Sequence, residues 1–332
     1  MRRNYILIFI IVIILVYLGN LAKGLNPYFY QLLVFWGINS ILALSLNLIN
    51  GFAGQFSIGH AGFMAVGGYF SSALSVYQGE KIISLLNFLP LSIAQEIIFL
   101  VFLILGGLIS AILGLIVGIP TLRLKGDYLA IATLGFSEIV RVAILNLDVV
   151  GGPRGFPGIP QRTNLSWVIL WFIICLLLIR NLINSSHGRA IISIREDEIA
   201  SETMGINTTF YKVLAFVIGA FFAGIAGGLF AHYLMMLHPS SFTFFRSVEI
   251  LLMIVLGGMG SITGSILGAF MLTILPEALR GFTYLRLIIY SIILIGIMLL
   301  RPQGIMGGKE FSFSIFRKIY TRVNKNENIG SK

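Results

Sequence analysis

The sequence predicts an all-α integral membrane protein, a polytopic helical bundle of about ten transmembrane helices with broken, glycine-rich segments. Three observations carry this. Hydrophobic residues make up 57% of the 332 and charged residues only 11%, against about 25% charged in soluble domains. Apolar runs close to the ~20 residues needed to cross a ~30 Å hydrocarbon core recur along most of the chain. Lysine and arginine are also distributed unevenly between the segments that join those runs.

In order, the candidate spans are 5–21, 28–49, 57–77, 95–119, 128–147, 166–183, 213–235, 248–258, 262–279 and 283–300. The first follows Met1-Arg-Arg and lacks a small-x-small cleavage site, so it reads as a retained span rather than a removable leader. The eighth is short and runs into a glycine-rich break. Starting with Arg2 and Arg3 inside and alternating, 15 Lys and Arg fall on the inner side, 7 on the outer side, and Arg141 within a span. That bias predicts both termini in the cytoplasm. The net charge of +10 therefore records topology and does not call for a nucleic-acid partner. Cys175 is the only cysteine and sits in an apolar run, which excludes a disulfide framework and a thiolate metal site.

Three rows of small residues repeat every fourth position: Gly106, Ser110, Gly114 and Gly118; Ala220, Gly224 and Gly228; and Gly260, Gly264 and Gly268. Such spacing places them on one helix face, where backbones approach closely in lipid. Tight helix packing is nearly sufficient to explain all three. Two segments interrupt the spans: Gly51-Phe-Ala-Gly-Gln-Phe-Ser-Ile-Gly-His-Ala-Gly62, and a looser echo at Gly257-Gly-Met-Gly-Ser-Ile-Thr-Gly264. Interruptions at corresponding places in two halves can mark an internal repeat and a substrate path. Gly54, Gln55, Ser57, Gly59 and His60 are accordingly candidates for cargo contact or gating. A lone histidine is usually structural; glycines and polar neighbours raise the odds for this one.

Glu138 and Arg141 fall near the middle of the fifth span. Charges at bilayer depth cost several kcal/mol and normally pair or face a cavity. Three apart on a helix, these two can reach each other. The spacing favours an internal ion pair that fixes packing over a polar lining for cargo, because a self-paired charge has little left for a substrate.

One segment is unlike the rest. Ser193-Ile-Arg-Glu-Asp-Glu-Ile-Ala-Ser-Glu-Thr-Met-Gly205 holds four of the chain's thirteen acids, Glu196, Asp197, Glu198 and Glu202. Ser193 and Glu196 fit a capping box, and Gly205 is a natural helix stop. Ile199, Ala200, Thr203 and Met204 can share a face, while Glu198 and Glu202 repel mildly. This predicts one short amphipathic helix over about 193–205, a surface for another protein to grip rather than a plain connector.

The spacing Glu198-x-Ala200 with Gly205, on the last long inner loop before the carboxy-terminal spans, resembles the coupling motif of ABC importer permeases. Three further segments are similar to LivM-type permeases of branched-chain amino-acid importers. They are Gly54-Gln-Phe-Ser-Ile-Gly-His-Ala-Gly-Phe63; Tyr128-Leu-Ala-Ile-Ala-Thr-Leu-Gly-Phe-Ser-Glu-Ile-Val-Arg141 with Gly151-Gly-Pro-Arg-Gly155; and Leu300-Arg-Pro-Gln-Gly-Ile305. Together they cover about residues 40–308. Arg154 stands where the pattern calls for a smaller polar residue. The resemblance implies the ABC importer permease fold, with a permease domain over 1–308 and a basic cytoplasmic tail over 309–332 that rests on anionic lipid. It also implies a prokaryotic plasma membrane, a sister permease (a heterodimer), two ATP-binding subunits docked on Glu196, Asp197, Glu198, Ala200, Glu202 and Gly205, and an extracytoplasmic binding protein. The cargo implied is leucine, isoleucine or valine, with urea or short amides as alternatives.

Absences agree with a non-enzymatic subunit without a cofactor of its own. There is no Gly-x4-Gly-Lys-[Ser/Thr] phosphate loop, since Gly308-Lys309 is followed by Glu310. His-Glu-x-x-His and Gly-x-Ser-x-Gly are also missing. A stand-alone secondary transporter would need an ion-coupling site, and only one buried charge pair is offered. An intramembrane enzyme would need convergent catalytic groups that the sequence does not assemble.

Overall fold

The computed structural model describes residues 24, 26–79, 81–82, 90–121, 127–279, 281, 291–292, 295–296, 299–301, 303–307 and 310. Helix α1 (Pro27–Asn47) starts with Asn26 Oδ1 accepting from the Tyr28 amide at 3.1 Å. Proline at its first position costs no internal hydrogen bond there. The helix widens at its far end into a π turn, Leu48–Phe52. Then follow α2 (His60–Tyr77), α3 (Leu91–Thr121), α4 (Asp127–Leu145), α5 (Leu165–Asn184), α6 (Ser186–Glu196), α7 (Glu198–Thr203), α8 (Thr208–Leu234), α9 (Phe244–Gly257) and α10 (Ile262–Ala278). Two-residue strands β1 (Phe156–Pro157) and β2 (Met236–Leu237) pair antiparallel.

Side chains just outside the helices cap them. Asn164 Oδ1 accepts from Trp167 N, Asn207 Oδ1 from Phe210 N and Ser261 Oγ from Gly264 N, each at 3.0 Å. Each satisfies one of the amides a helix start leaves free.

Among the described residues, five helices are long and apolar enough to cross a membrane: α1 with its π turn, α3, α4, α5 and α8; α10 is a shorter apolar helix. Of the ten expected spans, 5–21 lies outside the described residues, as does most of 283–300. The eighth span, expected over 248–258, starts earlier, at Phe244. Its added turn carries Arg246, which bonds Glu249 at 2.6 Å and Asn39 Oδ1 at 2.7 Å. Those bonds let a charge enter a segment that hydropathy alone would end.

α1 and α8 form the interior: 72% and 67% of their most apolar windows are buried, against 28–39% for α3, α4 and α5. The outer helices turn apolar side chains outward, including Leu108, Ile112 and Ile116 on α3 and Ile131 and Ile139 on α4. Glycines let α2, α3 and α8 close on one another. A Cβ on Gly227 would lie 1.9 Å from Met64 O, and one on Gly67 would lie 2.2 Å from Gly224 Cα. Ser110 of α3 enters the same crossing and donates to Phe63 O at 3.0 Å. Between α9 and α10, a Cβ on Gly268 would lie 1.8 Å from Met253 O. In lipid, this removal of side-chain bulk is what gives van der Waals contact between helices.

Candidate functional site

α6 and α7 project from the bundle end at which α1 finishes and α2 and α8 begin. The structure corrects the single helix expected over 193–205. Ser193 lies inside α6, and its hydroxyl donates back to Ala190 O at 2.9 Å. The caps are Ser185, whose Oγ accepts from Gly188 N at 3.2 Å, and Asp197, whose Oδ1 accepts from Ala200 N at 3.0 Å. Asp197 is extended (φ −157°, ψ 110°), so the chain turns there between two helices. At the other end of α7, Gly205 takes φ +83°, with Gly205 N donating to Glu202 O and Ile206 N to Ser201 O. That paired arrangement is a Schellman stop, which favours glycine because a Cβ is strained at that φ.

All four acids find partners inside the chain. Glu196 pairs with Arg195, Asp197 caps α7, Glu198 lies 2.6 Å from Lys212 Nζ, and Glu202 Oε1 accepts from Thr208 Oγ1 at 2.7 Å. The expected repulsion between Glu198 and Glu202 is thus taken up by α8. Exposed on α7 and just past it are Ala200, Ile199 (70%) and Met204 (82%).

The two interrupted segments meet at this same end, though 200 residues separate them. Asn47 Nδ2 donates to Ser261 O at 3.0 Å, and its Oδ1 accepts from Gly260 N at 2.9 Å. Within the first break, Asn50 brackets Ser57, donating to its carbonyl at 3.1 Å and accepting from its amide at 3.2 Å. Thr133 of α4 accepts from Ile58 N at 3.1 Å, and a Cβ on Gly59 would lie 2.3 Å from Thr133 O. Gly54 takes φ +67° beneath the Arg195 side chain. The second break is held from outside by Ile305, Met306 and Glu310. Ile305 N donates to Leu256 O at 2.8 Å, and Glu310 accepts from Ile262 N at 2.6 Å.

Gln55, Ser57 and His60 are buried here. Ser45 Oγ spends its hydrogen on Leu42 O at 2.9 Å and lies 2.8 Å from His60 Nε2. That assigns the ring proton to Nε2. The Gln55 amide has no hydrogen-bond partner for either polar atom among the described residues. Glu138 and Arg141 do not join this group. Arg141 Nε donates to Glu138 Oε2 at 2.7 Å on a part-exposed face of α4.

At the opposite end, Pro153 O lies 3.1 Å from His238 Nε2, and the glycine–proline loop is tied to the α8–α9 link through β1 and β2. Tyr77 OH donates to Val149 O at 2.5 Å and its ring stacks on Phe156. Beside them a polar cleft of ≈ 340 Å³ is lined by Tyr30, Gln95, Glu96, Arg162 and Thr163 among others. Burial lowers the Arg162 pKa from its usual value, and Glu96 partly offsets this.

Sequence reasoning missed Asn47, Asn50, Thr133, Arg195 and Glu310 as parts of the inner site. Two asparagines in one apolar span are a readable signal, since polar side chains at depth need partners. Nothing local marks Arg195 or Glu310.

An apolar perimeter, a glycine-packed interior and polar helix breaks gathered at one end define an integral membrane protein of the polytopic helical class. The family model described as "Branched-chain amino acid transport system / permease component" matches residues 28–301. The chain belongs to this family of branched-chain amino acid transport permeases. It is 36% identical over 301 residues to the high-affinity branched-chain amino acid transport system permease protein LivM of Salmonella typhimurium, covering 80% of this chain and 67% of that protein. It is 28% identical over 327 residues to the probable LivM of Methanocaldococcus jannaschii, covering 84% and 93%. To the related LivH of Escherichia coli it is 30% identical over 183 residues, covering 54% and 58%. No solved structure matches it.

Proposed function

We propose that this chain is the membrane-spanning permease subunit of an ATP-driven importer of branched-chain amino acids, in a prokaryotic plasma membrane with both termini cytoplasmic. Family membership and the relatives' names support the cargo; the Lys/Arg bias supports the orientation. Its partners are a sister permease, two ATP-binding subunits on the α6–α7 side, and an extracytoplasmic binding protein on the β1–β2 side. The permease domain runs over 1–308 and the basic tail over 309–332.

The observation that carries the coupling role is the exposure of Ile199 and Met204 on a doubly capped helix whose acids are already paired. In this reading Glu196, Asp197, Glu198, Glu202 and Gly205 shape and hold the handle, and the apolar residues with Ala200 make the contact. Gly54, Gln55, Ser57, Gly59 and His60 form an inner gate. Gln55, with both polar side-chain atoms unpartnered among the described residues, and His60 Nδ1 are the groups that meet water or cargo when the break opens. Glu138 and Arg141 brace α4.

Co-purification of the ATPase subunits with the double variant Ile199→Glu, Met204→Glu tests the coupling role. Capture is expected to fall by ~10-fold or more, the scale of losing two buried apolar contacts. Undiminished capture refutes it. Cargo is tested by uptake of labelled leucine into proteoliposomes holding the whole complex. Isoleucine and valine are expected to compete and urea is not.

A further inference from the structure

Arg195 lies where α6 reaches both breaks. Its Nη1 donates to Gly51 O at 3.0 Å, and that carbonyl lies in the π turn where α1 ends. A Cβ on Gly54 would lie 2.7 Å from Arg195 Cγ, and one on Gly260 would lie 2.9 Å from Nη1. The rest of the fork is engaged as well: Nε donates to Glu196 Oε1 at 3.0 Å, and Nη2 bonds the same oxygen. Glu196 ends α6 and is followed by Asp197, the residue at which the chain turns into α7.

We propose that Arg195 is the positioning residue through which movement of α7 reaches both helix breaks, with Glu196 as its tie to the turn. This rests on reading α7 as the surface gripped by the ATPase. The two helices are continuous through the extended, capped turn at Asp197, so a push on α7 that is carried into the end of α6 moves Arg195 and Glu196 together. The guanidinium follows, and with it the Gly51 carbonyl and the ground beside Gly260. Asn47 bonds Gly260 N and Ser261 O, so it keeps the two breaks moving together. A planar fork holding a carboxylate and a carbonyl at once is a property of arginine that a lysine ammonium does not reproduce. Stability alone is a poor account of the Arg195–Glu196 contact, since exposed neighbouring pairs contribute little.

The test uses the complete complex in proteoliposomes, with ATP hydrolysis and leucine uptake measured on the same preparation for Arg195→Lys and Arg195→Ala. In both, uptake per ATP hydrolysed is expected to fall ~10-fold or more, as the loss of a charged hydrogen bond allows. An unchanged ratio in Arg195→Ala overturns the proposal. If both variants fail to assemble with the ATPase, the residue is structural and the proposal also falls. The reading beneath it fails separately, through ATPase capture that survives Ile199→Glu, Met204→Glu.

Discussion

Glu198 sits 2.6 Å from Lys212, with 12% of the lysine side chain exposed and 29% of the glutamate. A pair this sheltered binds the start of α7 to the start of α8, so its charge is spent within the chain. Glu198→Lys is expected to uncouple ATP hydrolysis from uptake, while adding Lys212→Glu restores coupling. If the acid instead touched the ATPase directly, the swap would restore nothing, and transport-to-hydrolysis ratios separate the two cases. The other pair of interest, Glu138 and Arg141, makes its hydrogen bond internally. Glu138→Gln strands a guanidinium on a membrane helix, which is expensive. Lower yield of folded protein is therefore expected, with leucine, isoleucine and valine preferences unchanged; a shifted preference in uptake competition would place the pair on the cargo path.

At the scale of elements, α7 has only six residues, far below the ~12–15 at which an isolated helix becomes marginal in water. It persists because both ends are tied, by Asp197 at the start and the Gly205 stop at the finish. Removing the first tie in Asp197→Ala is expected to cost about 1 kcal/mol of local stability. Hydrogen exchange at the amides of 198–203 would rise accordingly, with the bundle helices unaffected. The crossing of α2 with α8 has a different basis, since its stabilisation is contact between backbones. Gly227→Val would place a branched side chain against Met64 O, already 1.9 Å from a bare Cβ. Overpacking typically costs ~1–3 kcal/mol, so a lower melting temperature in detergent is expected, whereas Gly135→Ala, at an exposed position with nothing within 4 Å of the added Cβ, leaves it unchanged.

Across the whole molecule, the polar contacts between distant segments gather at two ends. One gathers the breaks, α6, α7, Ile305, Met306 and Glu310 into a hydrogen-bonded layer, and the other pins the glycine–proline loop to the α8–α9 link. Apolar spans were legible because burial in lipid is a local demand: each helix satisfies its own backbone, so about twenty apolar residues suffice to mark it. The stop at Gly205 was legible for the same reason, as a conformational preference of one residue. Ser193 as a cap was misread because Ser185 and Asp197 bid for the same role, and sequence spacing does not rank three capping residues on one short stretch. Nor did spacing show that the acids are internally paired, since Lys212 and Thr208 lie on the following helix. The sequence by itself determined the membrane class, the family, the helix breaks and the charged segment between spans. Only the tertiary structure decided that Gly51 and Gly260 meet beneath Arg195, and that Ile199 and Met204 stand exposed at α7. The physical reason is that contacts across more than 140 residues depend on how helices cross, and helix crossing is set by glycine faces packing together rather than by any local pattern.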